Sequence, residues 1–337
     1  MRTAVLGLLV CCTLASAYGG VQYSRGRTYY AVVVQQGGAR QFPDQNLWRA
    51  TVYHRSGVLQ YQLEQRVPYD LQFPALYLSD DAGQAIVVST FEARVEFYDG
   101  RGNLVRVVHP SASGGPTYER IVKCSVAGSR AALLVSSPDA SHAEVFFTAV
   151  DGTEMWRRTL PHDTAGELFL ASDGTYLVAG CYASDREIVA STVLFDAHGG
   201  IVRTLEALFR NADIDPERNI LALSSRNELV LESLDGLARR VSWSTARAEE
   251  IITGIRLVDG HAAAAVETVD LGSGAPVYAR SALVVTDRSG EEVERRVLEG
   301  SSSHPAVLEV EEDAIIISSG ERTAGIRRDE LRDNSGR

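Results

Sequence analysis

Three histidines stand in similar settings: His109 before Pro110, His162 between Pro161 and Asp163, and His304 before Pro305. Neutral imidazole is a common zinc ligand, and three imidazoles with one open position suit a catalytic Zn²⁺. A carboxylate set, Asp213, Asp215 and Glu217, offers the hard oxygen donors that Ca²⁺ prefers, without a recognised loop spacing. The competing account is plainer. His and Pro are ordinary residues of exposed turns, and an Asp-Pro turn can keep its carboxylates solvated. No H-E-x-x-H, G-x-S-x-G, P-loop, EF-hand loop or C-x-x-C pair follows the first strand-forming residues. The expectation is therefore no resident cofactor, with zinc or calcium as the ions these two sets would take.

Recognition is the other chemistry within reach. The segments Ser136 to Ala143 and Thr268 to Pro276 are long, Gly/Ser/Asp-bearing connectors between apolar runs. Loops of this kind on a rigid scaffold often carry binding, although surface length is also tolerated without function. Asp139, His142 and Asp270 supply polar groups there, and Tyr118, Tyr182 and Tyr278 supply amphipathic contact area. Those six residues are the candidate binding set.

The elements that must position them repeat. Six times an apolar β-type run meets a tight Gly-containing turn and then a second run rich in Val, Leu and Arg. The turns include Asp99-Gly100-Arg101-Gly102, Asp151-Gly152, Asp235-Gly236 and Asp287-Arg288-Ser289-Gly290. They recur at roughly 36 to 54 residues, the span of one four-stranded propeller blade. Asp-Gly turns allow the positive φ that tight hairpins need. Continuous apolar runs such as Ala132-Leu133-Leu134-Val135 suit strands covered on both faces. Runs such as Leu104-Val105-Arg106-Val107-Val108 mix arginine with apolar residues, as a half-exposed edge strand should.

The fold expected is all-β, a β-propeller of four-stranded antiparallel blades. Six blades need the fewest assumptions; seven follow if the end segments form a blade of their own. The N-terminal unit, Tyr29 to Glu64, lacks a clear first strand, and mixing strands from both termini would close the ring. In that register each of the three histidines follows a fourth strand, so all three should project on one face near the channel mouth.

Residues 1–17 read as a secretory signal: Arg2, an apolar stretch Ala4 to Leu14, and Ala15-Ser16-Ala17 as the cleavage site. Leu8-Leu9-Val10-Cys11 loosely resembles a lipobox, with Val10 where a small residue is wanted. The domain expectation is signal peptide 1–17, one propeller domain 18–328 and a disordered polar tail 329–337. Localisation is exported, periplasmic or secreted. No later run approaches the ~20 apolar residues of a membrane helix. A net charge of -11 argues against a nucleic-acid partner, since phosphate neutralisation needs concentrated positive charge. Cys124 and Cys181 remain after the signal, and a bridge between them is left open.

The units Phe195 to Leu205 and Asp213 to Leu221 resemble strand pairs of NHL-type propellers, and also quinoprotein-like and WD-like ones, as found in exported bacterial proteins. The Gly-His and Trp-Asp pairs of true WD repeats are missing, as is the regular Trp/Gly pattern of quinoprotein dehydrogenases. The NHL likeness implies one catalytic alternative, since lyases of that type hold a channel zinc with histidines from different blades. The function expected is a non-enzymatic binding or scaffolding module for an envelope or secreted protein, engaged through rim loops. A channel-site metal-dependent lyase or hydrolase is the alternative, and oligomeric state stays open.

Overall fold

The computed structural model describes residues 17–24, 27–36, 45–68, 73–80, 83–89, 94–110, 120–136, 142–183, 189–236, 240–270, 276–320 and 322–334. Among them lie seven antiparallel sheets, six of four strands and one of three. Every sheet is contiguous in sequence. Sheet one holds β1 (Ala17–Tyr23), β2 (Tyr29–Gln36), β3 (Gln45–His54) and β4 (Leu59–Pro68). Sheet two holds β5 (Ala75–Leu78), β6 (Ala85–Ser89), β7 (Arg94–Tyr98) and β8 (Leu104–Val108). Sheet three holds β9 (Arg120–Ala127), β10 (Arg130–Ser136), β11 (Ala143–Ala149) and β12 (Glu154–Thr159). Sheet four holds β13 (Thr164–Leu170), β14 (Tyr176–Tyr182), β15 (Ala190–Asp196) and β16 (Ile201–Leu205).

Sheet five holds β17 (Asn211–Asp215), β18 (Ile220–Ser224), β19 (Glu228–Ser233) and β20 (Val241–Ser244). Sheet six holds β21 (Glu250–Val258), β22 (His261–Asp270), β23 (Val277–Thr286) and β24 (Glu292–Ser302). Sheet seven holds β25 (Val307–Val310), β26 (Ala314–Ser319) and β27 (Arg322–Arg327). The sheet count is thus seven, the alternative to the simpler six. The end segments each form their own sheet, and no sheet mixes strands from the two termini. The first strand that Tyr29 to Glu64 seemed to lack is β1, whose Gly19-Gly20 centre hides it from an apolar-run reading.

Hydrophobic burial explains the strand roles. The second and third strands are covered on both faces, as in β10 and β11, while the fourth strand β8 is exposed almost throughout. At the turn between third and fourth strands an aspartate accepts main-chain N–H bonds. Asp99 Oδ1 takes those of Arg101 and Asn103, both at 2.9 Å, and Asp196 Oδ1 those of His198 and Gly200, both at 2.8 Å. Asp287 Oδ1 does the same with Ser289 at 2.8 Å and Glu291 at 3.0 Å. The glycine of each turn sits at positive φ, +79° at Gly152, where a Cβ would also lie 2.6 Å from the Phe97 ring. That is why the repeat spells Asp followed by Gly.

The chain divides into two compact units, residues 1–157 and 158–337. The boundary falls inside β12, so it is not a linker. Within the first unit, one apolar core joins sheets one and two around Trp48, Leu63, Leu76 and Val87. A second joins sheets two and three around Ile86, Phe97, Leu133 and Phe146. Within the second unit the same face-to-face arrangement repeats between sheets four and five, five and six, and six and seven.

The C-terminal residues correct an expectation. Where a disordered polar tail was read at 329–337, residues Arg328–Asn334 form helix α1. Leu331 is buried with Ile315, Ile317 and Ile326, and Arg328 holds Asp259 through two bonds at 2.7 and 2.8 Å. The Arg328 N–H also donates to the Asp313 carbonyl at 2.9 Å. The signal segment, residues 1–16, lies outside the described residues, and β1 begins at Ala17. Among the described residues no helix is long and apolar enough to cross a membrane.

Candidate functional site

The sixth sheet has long outer strands, as sheet one does with β3 and β4 at 10 residues each. Its β22, β23 and β24 run 10, 10 and 11 residues, against 5 each in β6, β7 and β8. The added length lies at the β22–β23 end, where Val269 pairs with Tyr278 and Asp270 with Val277. The sequence explains the change along β22. Ala262 to Val266 is apolar and buried, Glu267 is a buried carboxylate, and Thr268 to Asp270 reaches solvent by its end. The hairpin therefore continues beyond the core on paired backbone.

At the base of this extension the core gives way to a recess of about 160 Å³. It lies on the face of sheet six that packs on sheet five, where Val266 and Ala282 still belong to the apolar cluster. Arg247, from the β20–β21 connector, meets Glu250, Thr268, Arg280 and Arg295 around it. The connector is tied to the hairpin by the Val269 N–H donating to the Glu249 carbonyl at 3.3 Å. Arg295 is held by Glu292 through bonds of 2.7 and 2.9 Å. That carboxylate keeps the Arg295 guanidinium pKa above its ordinary value, against the opposing effect of burial. Arg280 reaches the exposed Glu299 at 3.4 Å, and its buried Nε has no acceptor. Glu250 is buried, and its Oε2 has no donor. A second cavity of about 190 Å³, lined by Arg218, Ser233, Gly260 and Arg288, lies at the opposite end of the same seam. Buried polar atoms are ordinarily paired, and the recess carries one unpaired donor and one unpaired acceptor, whereas Glu232 on the second cavity leaves two acceptor oxygens without a hydrogen-bond donor.

The candidate binding residues are spread over several sheets. Asp270 and Tyr278 stand on the extended hairpin, exposed and half-buried respectively. Tyr182 ends β14 and His142 precedes β11, both half-buried. Tyr118 and Asp139 lie outside the described residues, as do the tips of both long connectors. The residues that sequence reasoning missed are Arg247, Glu250, Arg280 and Arg295. Only the fold, a connector laid against the strands of sheet six, brings them together, because 48 positions separate the first from the last.

Among the described residues no group of three or more His, Cys, Asp or Glu side chains is placed to hold a metal ion. His162 Nε2 lies 2.9 Å from Ser191 Oγ, and His304 Nδ1 lies 2.9 Å from Ser303 Oγ, while His109 is exposed after β8. The acidic set does not converge either. Asp213 is buried and accepts the Leu257 N–H at 2.8 Å, stapling sheet five to sheet six. Asp215 takes the Arg218 N–H and guanidinium at 3.0 Å each, and Glu217 is exposed. Packing and turn formation have claimed the carboxylates. Cys124 and Cys181 are both free, and burial pushes each thiol pKa up.

No protein-family profile matches the chain. No curated protein sequence matches it either. Solved structures do. The chain is similar to the Dos1 propeller, with a TM-score of 0.60 and 7% identity over 91% of this chain and 76% of that one. It is also similar to the Cps50 (Swd1) β-propeller domain of Myceliophteria thermophila, with a TM-score of 0.53 and 12% identity over 90% and 93% of the two chains. At such identities the likeness concerns the fold alone. The chain is a β-propeller.

Proposed function

We propose that this propeller is an exported, non-enzymatic interaction scaffold whose partner is another envelope or secreted protein. The surface engaged is the end of sheet six that carries the β22–β23 extension. One observation carries the reading: the hairpin holds Asp270 and Tyr278 on paired strands beyond the core instead of on a loose loop. A preordered arm loses little conformational entropy on binding, and tyrosine is a favoured interface residue. Specificity then comes from the polar groups at its base and from the neighbouring connector. The positive start, apolar stretch and small-residue site of residues 1–17 support export.

Site-specific photocross-linking tests this reading. Benzoylphenylalanine replaces Tyr278 in one strain and Ile201, on the exposed edge strand β16, in another. Irradiation of living cells is expected to give a discrete adduct from position 278 alone, with a secreted or envelope protein that re-forms the adduct when purified. No adduct, equal adducts from both positions, or recovery of the chain in the cytoplasm would refute it.

A further inference from the structure

We propose that the recess at the base of the β22–β23 hairpin is a carboxylate-recognition site. Its occupant is an acidic residue of a partner segment, with that segment's own N–H turned toward Glu250. The inference deepens the scaffold reading and rests on it.

Four observations converge. First, three arginines line one recess of about 160 Å³, room enough for an acidic side chain. Second, those three charges are not equally engaged. Glu292 occupies the Nε/Nη2 edge of Arg295, Arg280 has only the exposed Glu299, and Arg247 has no ion pair among the described residues. Arg247, with the partly engaged Arg280 beside it, is thus the cation left for a ligand. Guanidinium and carboxylate match in geometry as well as charge.

Third, Glu250 Oε2 is a buried acceptor with no donor on the same wall. A bare anion would be repelled by it. A carboxylate that arrives with a neighbouring N–H satisfies the cation and this acceptor at once, and a peptide segment has that pairing built in. Fourth, the chain carries a net charge of -11, so its overall field repels acidic ligands. Binding of an acidic peptide then requires a local site.

Fluorescence anisotropy of fluorescein-labelled hexaglutamate, titrated with the full chain at low salt, tests the proposal. Arg247→Ala/Arg280→Ala is expected to weaken binding by about tenfold or more, the loss of charge-assisted hydrogen bonds. Arg49→Ala/Arg327→Ala, which removes surface arginines elsewhere, should change it less than about twofold. No binding by the unaltered chain, or equal losses in the two double variants, overturns the site. If the first double variant fails to fold, Arg247→Ala alone removes only an exposed side chain and is expected to weaken binding about threefold; unchanged affinity overturns the site. Displacement by free glutamate at equal carboxylate concentration would make the occupant a small acid and overturn the peptide assignment. Hexaglutamate results that fail while Tyr278 still cross-links sink the recess alone; loss of the cross-link sinks the scaffold reading.

Discussion

Glu267 is the most tightly enclosed carboxylate on sheet six, at 0% exposure, and removing it is the sharpest test of how the last two sheets are joined. Its Oε1 accepts the Ser281 hydroxyl at 3.0 Å and the Ala306 main-chain N–H at 2.9 Å, so one oxygen ties β23 to the chain entering β25. In Glu267→Ala the hydroxyl can rotate toward another acceptor, but the Ala306 N–H is fixed by its backbone. An orphaned buried donor costs about 1–3 kcal/mol. The charge itself leaves with the side chain, which returns part of what its burial cost. The net expectation is a local destabilisation of about 1–3 kcal/mol, centred on the approach to β25. Glu267→Gln keeps an acceptor at Oε1 and should retain most of the bond. Hydrogen exchange resolved to the peptide containing Ala306 is the appropriate assay, because a multi-sheet chain need not unfold in one step. Exchange there should accelerate by about 5- to 150-fold in Glu267→Ala, at tenfold per 1.4 kcal/mol. Sheet two should be unaffected. Exchange at Ala306 no faster than in the unaltered chain would refute the account of this oxygen as a clasp.

Two further outcomes follow from the turns. Gly152→Ala should lower thermal stability by about 1–3 kcal/mol, the scale of strain for a non-glycine residue held at positive φ. The Cβ clash with Phe97 adds to this, and an unchanged melting temperature would refute it. The turn aspartates should impose an acid limit on stability. The Asn103 side chain and N–H hold Asp99 below the ordinary carboxylate range, the Thr153 N–H does so for Asp151, and the Gly200 N–H for Asp196. At Asp287 burial pushes upward but is outweighed by Ser289 and Glu291. Because the folded values are depressed, this stability is present above the ordinary carboxylate pKa of about 4 and is lost as pH falls through the folded values. Urea midpoints between neutral pH and pH 3 should therefore fall less steeply in Asp99→Ala/Asp196→Ala than in the unaltered chain, and parallel slopes would count against the turns.

How far the sequence could be read depends on whether a property is local. The Asp-Gly turns were legible because positive φ and side-chain capping are set within five residues. Strands such as β6 and β10 were legible because burial on both faces demands unbroken apolar runs. β1 was not, since Gly19-Gly20 weakens its own signal and its pairing along the whole of Tyr30 to Gln36 makes it a strand. Helix α1 was missed for a related reason: its seat depends on Leu331 reaching a distant core. The histidines and acidic residues look alike in sequence whether they bind an ion or serve a turn, and only distances separate the two. The arginine recess had no local signature at all.

Each sheet is complete within its own stretch of chain, which bears on how such a molecule can be made and remade. Every strand pair is formed between neighbours along the chain, so a sheet can assemble as soon as its last strand leaves the ribosome or a translocation pore, without waiting for the far terminus. By the same token, a gene duplication or deletion with ends in the connectors adds or removes a whole sheet and breaks no hydrogen-bonded ladder in the others. The number of sheets is therefore a property that recombination can change one unit at a time, while the lengthened hairpin of sheet six travels intact with whichever copy inherits it.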